Sequence, residues 1–191
     1  MKLQDGMLLF HGSYAAVEQI ELNQCMPGKD FGKGFYLTSD ANQARSFIKS
    51  SLTKAQNYGL IPHSQNYGYV SSFRYHKPET DLPIHEFEQA DREWLWFISQ
   101  NRRGSLAKRL IPFIDPSIFH AEIIIGKIAN DTTNPVITAY LNGLYGEIDS
   151  DRAVSLAVSL LMPDHLKDQF CFLSQKAIRC LEFQEARKYV D

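Results

Sequence analysis

The hydrophobic pattern of the first forty residues predicts two short strands with a glycine-rich loop between them. A continuous apolar run predicts a buried strand from Met7 to His11, which ends at the turn signal that begins with Gly12. Three glycines at positions 28–34 interrupt regular structure, and Phe35 to Thr38 has the composition of a second strand. His11 is therefore expected at a strand end.

Helical spacing and alternation predict the elements in the middle of the chain. Ser39 is predicted to cap a helix that extends to about Leu52, and residues 53–65 have the composition of a surface loop. The remaining predictions in this region are a strand at Tyr67 to Tyr75 and a helix from Asp91 to about Asn101, with Trp94, Leu95, Phe97 and Ile98 on its core-facing side.

The last third of the chain is predicted to contain three strands and two helices. In order, they are a strand at Ala121 to Ile128, a helix capped by Asp149 or Ser150 that ends at Leu161, a strand at Gln169 to Leu173, a short helix from Ser174, and a closing strand at Leu181 to Phe183. Because strands and helices do not alternate regularly, an α+β fold is expected, with residues 1–191 forming one domain.

Composition limits the classes of partner. The chain has 191 residues and a formal net charge of −2, so it has no overall positive field toward nucleic acid or an anionic membrane. Three cysteines without a CxxC pair argue against a disulfide framework, and no segment approaches the roughly 20 apolar residues that span a bilayer. A cytoplasmic location is expected.

The common nucleotide-binding and metal-binding motifs are missing. Only three residues separate Gly28 from Gly32, and Gly34 stands where a phosphate-binding loop needs Ser or Thr. The six histidines have no metal-ligand spacing, so no metal is predicted. One short basic cluster, from Arg102 to Arg109, is a minor indication of nucleic-acid contact.

Two sequence blocks, HGS at 11–13 and PGKDFGKGFYLT at 27–38, carry a family likeness. They resemble the ADP-ribosyltransferase superfamily, specifically the diphtheria-toxin and poly(ADP-ribose) polymerase branch with its His, Tyr and Glu triad and its FGKGIY element. The chain is most similar to a little-characterised bacterial family that shares these blocks together with EWLWFISQNR and QFCFLSQKAI. This resemblance covers roughly Leu8 to Phe183.

The resemblance implies an α+β fold in which split, mainly antiparallel sheets surround an NAD cleft with flanking helices. NAD would be a co-substrate, with His11 bonded to a ribose hydroxyl, the Gly12 backbone paired with the carboxamide and Tyr36 stacked on nicotinamide. The implied catalytic residues are His11, Tyr36 and Gln169, and the implied NAD-binding residues are His11, Gly12, Ser13, Phe31, Gly34 and Tyr36. Lys29, Lys33 and Ser13 are expected near the diphosphate or the ribose.

Gln169 departs from the family triad because it stands where the carboxylate is expected. Its amide can bond the ribose 2′-hydroxyl but cannot act as a general base, and Gln169→Glu is expected to preserve NAD binding. If a base is needed, Asp131, Glu147 and Asp149 are the nearest candidates in the sequence. Two interpretations stay open, an active transferase and an NAD-binding pseudoenzyme or interaction module.

The implied activity is transfer of ADP-ribose from NAD to a macromolecular target, either protein or nucleic acid, with release of nicotinamide. Members of the similar family look like toxins, and some stand beside a small protein that would be an antitoxin. The resemblance therefore implies a toxin role and a small antitoxin partner.

Overall fold

A mixed sheet of seven strands organises the computed structural model, which describes residues 2–129, 133–162 and 168–190. The strands are β1 (Leu8–Ser13), β2 (Phe35–Thr38), β3 (Tyr67–Tyr75), β4 (Ile84–Glu86), β5 (Ile123–Lys127), β6 (Asp168–Phe172) and β7 (Leu181–Val190). The α-helices are α1 (Ala41–Asn57), α2 (Arg92–Ala107), α3 (Thr133–Leu141), α4 (Asp151–Leu161) and α5 (Gln175–Ile178). Short 3-10 helices lie at Leu22–Gln24, Lys108–Phe113 and Pro116–His120.

Strand order runs β4-β5-β6-β2-β1-β3-β7, and each neighbouring pair is antiparallel except β4 with β5. The α+β class and the mainly antiparallel pairing are therefore confirmed. The expectation of split sheets is corrected, because Phe10 of β1 pairs with Thr38 of β2 and makes the ladder continuous. Within the described residues that one pair is all that joins β1 to β2. The β1–β2 ladder is thus the shortest of the described sheet, and it forms a narrow joint between the two halves of the sheet.

Side-chain alternation in the central strands divides the core between the two faces of the sheet. In β6, Phe170 and Phe172 pack into one cluster with Leu9 and Phe35, while Cys171 packs on the opposite face against α2 and α4. Successive strand residues point to opposite faces, so a strand buried on both sides is apolar throughout. This packing holds β6 in the centre of the molecule.

The cap of α1 and the lengths of α1 and α2 differ from the sequence predictions. Asp40, not Ser39, caps α1 by accepting hydrogen bonds from the backbone N–H groups of Asn42 and Gln43. Helix α1 also continues through Asn57, so only the later part of the predicted 53–65 loop is non-helical. Asp91 caps α2 as predicted, but α2 continues to Ala107 across a break in helical dihedrals at Arg103.

The bounds of some strands, and two short elements, could be assigned only from the tertiary structure. Strand β1 continues through Gly12 and Ser13, which pair with β3, so the predicted turn there is corrected. Strand β7 extends to Val190 because its backbone pairs with β3 although its side chains alternate poorly between apolar and polar. The short strand β4 and helix α3 were missed because neither has a distinctive periodic pattern. Of the two predicted caps of α4, Asp149 and Ser150, the observed one is Ser150.

Packing against helix α1 requires glycine at position 12. A Cβ built on Gly12 would lie 1.7 Å from the backbone oxygen of Ala44 in α1. Helix α1 therefore crosses β1 too closely for any side chain at this position. The missing Cβ serves the contact between helix and strand.

The predicted core role of the α2 aromatic face is confirmed, since Trp94, Leu95, Phe97 and Ile98 are all buried. Trp94 also donates a hydrogen bond from Nε1 to the carbonyl oxygen of Lys127, at 3.2 Å. We expect Trp94→Ala to lower the free energy of unfolding by ~3 to 5 kcal/mol, measured by denaturant titration. Leu144→Ala, at a residue 72% exposed, is the control and should change stability by no more than about 0.5 kcal/mol. Equal effects of the two variants would contradict this packing analysis.

Candidate functional site

A cleft of about 950 Å³ opens beside the narrow joint between β1 and β2. Its lining includes His11, Gly12 and Ser13 from β1, Tyr36 from β2 and Gln169 from β6. The three residues of the implied triad therefore come from three neighbouring strands and reach one cleft. Gly34 also lines it, and a Cβ at Gly34 would lie 2.6 Å from the sulfur of Cys171, so β6 requires glycine there.

His11 is fixed to the neighbouring strand by its ring. Its Nδ1 lies 2.8 Å from the carbonyl oxygen of Tyr36, and its ring packs on Phe35 with centroids 4.6 Å apart. Because a carbonyl oxygen can only accept, Nδ1 carries the hydrogen, and Nε2 of the neutral ring is an acceptor. Burial lowers the pKa of His11 below its ordinary value. A neutral imidazole suits a hydroxyl donor such as a ribose hydroxyl.

Tyr36 is held by the glycine-rich loop in front of it. Its hydroxyl donates to the carbonyl oxygen of Gly32 at 2.8 Å and accepts from the N–H of Phe31 at 3.0 Å. Gly32 has a φ of +91°, a conformation that favours glycine and lets the loop turn back over the phenol. Burial raises the pKa of Tyr36 well above its ordinary value, so the phenol stays protonated.

Asp30 is a buried carboxylate at the centre of the site, and the sequence interpretation missed it. Its Oδ1 lies 2.5 Å from Nε of Arg102, and its Oδ2 accepts from Nε2 of Gln169 at 2.8 Å and from the N–H of Ala129 at 3.3 Å. The backbone oxygen of Asp30 accepts from Nδ2 of Asn101 at 3.0 Å. One loop residue therefore joins α2, the end of β5 and β6. The only signal in the sequence was an acidic residue inside an otherwise basic glycine-rich loop.

The charged groups lining the cleft are mostly cationic. Lys29, Lys54 and Arg102 contribute positive charge, while Glu21 and Asp30 are the acidic groups, and Asp30 is paired with Arg102. Burial and the positive charges of Lys54 and Arg102 lower the pKa of Lys29. Lys29 and Lys54 are thus positioned for an anionic ligand. Lys33, expected near a diphosphate, does not line the cleft.

Residues 7–183 match the protein family described as Protein of unknown function (DUF3990). The chain belongs to this family. A comparison with curated proteins finds no match. In this DUF3990 chain, the matched region begins just before β1 and ends inside β7, so it includes every residue described above for the cleft.

Several predicted site residues of this DUF3990 protein lie elsewhere. Phe31 is only 2% exposed and stacks behind Tyr36, with ring centroids 6.5 Å apart, so it supports the wall of the cleft from inside. Glu147 and Asp149 precede α4 and do not line the cleft. Asp131, the third candidate base, lies outside the described residues.

The basic cluster at Arg102 to Arg109 does not form one open surface. Arg102 binds Asp30 inside the cleft, whereas Arg109 donates to the carbonyl oxygen of Leu141.

Across the described ranges, no three His, Cys, Asp or Glu side chains lie close enough together to hold a metal ion. None of the described helices combines the length and the apolar character needed to cross a bilayer.

The geometry of His11 gives a direct spectroscopic prediction. We expect the folded protein to contain a neutral His11 with hydrogen on Nδ1 at pH 6.5, where an ordinary imidazole is half protonated. Since the unfolded chain binds this proton more readily, the group lowers the free energy of unfolding as pH falls below 6.5. Nitrogen-15 NMR of the labelled imidazole measures both tautomer and titration. A midpoint at or above 6.5, or a hydrogen on Nε2, would contradict it.

Proposed function

We propose that this protein is a mono-ADP-ribosyltransferase that uses NAD to modify a macromolecular target. The observation that carries the proposal is the convergence of His11, Tyr36 and Gln169 on one cleft beside the β1–β2 joint. Residues from three strands, widely separated in the chain, meet where the sequence resemblance to ADP-ribosyltransferases requires a nicotinamide riboside to lie. The proposal assigns the ADP-ribosyltransferase-like fold to the α+β architecture described above.

The cleft offers different contacts to the nicotinamide riboside of NAD and to its diphosphate. Nε2 of a neutral His11 accepts a hydrogen bond from a ribose hydroxyl, and the Tyr36 ring offers an aromatic surface for nicotinamide. Lys29 and Lys54 supply positive charge for the diphosphate. The residues of the cleft therefore suit the riboside and the diphosphate by different kinds of contact.

The proposed reaction breaks the glycosidic bond between the nicotinamide nitrogen and C1′ of the ribose. The bonding electron pair leaves with nicotinamide, and a nucleophile of the target then forms a bond to C1′ and gives its proton to solvent. The protein contributes mainly by fixing the ribose and by excluding competing geometries. The acceptor oxygen of Gln169 stabilises the positive charge that develops on the sugar.

Gln169 favours a second candidate, an NAD-binding pseudoenzyme. An amide cannot remove a proton from an incoming nucleophile, and Nε2 of Gln169 is already bonded to Asp30. This candidate predicts NAD binding without release of nicotinamide. The transferase predicts both.

A labelling experiment separates the two candidates. The purified chain is incubated with NAD that carries a label in its adenylate half, together with bacterial lysate, and both nicotinamide and bound label are measured. A transferase releases nicotinamide and labels a macromolecule, and protease or nuclease treatment then identifies the target class. Failure to bind NAD by calorimetry would overturn both candidates. If the protein is also a toxin, its expression should slow bacterial growth, and a variant without transferase activity should not.

Substitution of His11 should weaken NAD binding for a specific reason. His11→Ala removes the Nε2 acceptor and its tether to Tyr36, so we expect the Kd for NAD to rise about tenfold, as for the loss of one neutral hydrogen bond. Calorimetric titration measures the change. His63→Ala, at an exposed histidine outside the cleft, is the matched control and should leave the Kd unchanged. Equal Kd values for wild type and His11→Ala would remove His11 from the site.

A further inference from the structure

The orientation of the Gln169 amide is fixed by two acceptors. Nε2 donates to Oδ2 of Asp30 at 2.8 Å and faces the carbonyl oxygen of Lys127 at 3.3 Å. The reversed amide would place Oε1 against a carboxylate and a carbonyl oxygen, neither of which can donate. Oε1 has no hydrogen-bond partner among the residues that the structure describes. The amide therefore presents an acceptor as its available group.

Asp30 is itself unable to turn away from Gln169. Arg102 holds its other carboxylate oxygen, and Asn101 holds its backbone oxygen. Asp30 is 3% exposed and Gln169 is 7% exposed, so water does not compete freely for this contact. A buried contact between fixed partners sets the orientation of a side chain more firmly than an exposed one does.

We infer that Asp30 is a positioning residue that holds the Gln169 amide with Oε1 available to the ribose, and that residue 169 must be neutral because Asp30 faces it. This inference rests on the proposed function for its ligand. In this arrangement the carboxylate oxygen expected at the third triad position is replaced by an amide oxygen, and the negative charge lies on Asp30, one contact away from residue 169.

A consequence is that Gln169→Glu should be harmful, contrary to the expectation from the sequence. Two carboxylates would face each other at the distance of a hydrogen bond, where they must share a proton or repel. The double variant Asp30→Asn with Gln169→Glu moves one negative charge between the two residues and keeps the total unchanged. The new amide at position 30 would accept from Arg102 and donate to the new carboxylate at position 169, which leaves one oxygen of that carboxylate for the ribose. The N–H of Ala129 would lose its acceptor, and the new carboxylate would face the carbonyl oxygen of Lys127, so we expect this double variant to recover only part of the loss.

The matched control uses Asp168, the buried carboxylate that precedes Gln169. Asp168 forms an ion pair with Lys127 at 2.6 Å. Its side chain points to the opposite face of β6 from that of Gln169, because neighbouring strand residues alternate. Asp168→Asn combined with Gln169→Glu therefore has the same formal charge as the first double variant but keeps Asp30 opposite the new carboxylate.

The first measurement is thermal unfolding as a function of pH, which needs no ligand. In Gln169→Glu the folded pair binds a proton more tightly than the unfolded chain does, so stability present at low pH is lost as pH rises through the raised pKa of the pair. We expect its Tm, relative to wild type, to fall between about pH 5 and pH 8. The Asp30→Asn double variant should lose this fall, and the Asp168→Asn double variant should keep it.

The titratable groups around this pair come from several elements. They are Arg102 from α2, Lys29 from the glycine-rich loop, Tyr36 from β2, Cys171 from β6, and the Lys127–Asp168 ion pair. All of them are retained in Gln169→Glu and in the Asp30→Asn double variant. A difference between those two forms therefore reports on the contact between residues 30 and 169.

The second measurement is NAD affinity and nicotinamide release at pH 8. We expect Gln169→Glu to weaken NAD binding by about tenfold or more, and Asp30→Asn with Gln169→Glu to recover part of the loss. Gln169→Glu with wild-type NAD affinity and a wild-type pH profile would overturn the inference, as would equal recovery by the Asp168→Asn double variant. If wild type binds no NAD, the proposed function fails and the ribose assignment fails with it, while the pH profiles still decide whether Asp30 faces residue 169.

Discussion

The buried carboxylate of Asp30 is the interaction on which the site depends. It binds Arg102, 72 residues later in the chain, and Gln169, 139 residues later, so it joins a loop, a helix and a central strand. A buried carboxylate is costly unless it is paired and hydrogen-bonded, and Asp30 has both kinds of partner. The glycine-rich loop is therefore held against α2 and β6, and it in turn holds the Tyr36 hydroxyl.

The narrow joint between β1 and β2 complements this anchor. Because the β1–β2 ladder has one residue pair in the described structure, the ends of β1 and β2 beyond that pair are available to form a cleft. Gly12 lets α1 lie close over β1, and the tether from His11 to the Tyr36 carbonyl joins the strands where the ladder does not. The sheet thus gives the cleft two fixed walls without closing it.

The local sequence pattern was sufficient to predict elements that bury side chains at regular intervals along the chain. Helix α2 was predicted from its Asp91 cap and its apolar face, and β2 and β3 were predicted with their observed bounds, because each buries a periodic set of side chains. Strand β7 was predicted too short, since its length comes from backbone pairing with β3 and its side chains are mostly exposed. Phe31 was expected at the ligand, but its ring fills the core behind Tyr36.

The sequence by itself placed His11 near the end of a strand and indicated the α+β class, since both follow from short-range periodicity and turn signals. Only the tertiary structure decided that Asp30 faces Gln169 and that Gly12 is required by α1. Contacts between distant residues depend on where the loop and the strands lie relative to one another, and no local pattern encodes that. An acidic residue among glycines and lysines has the same local appearance whether it is solvated or paired in the core.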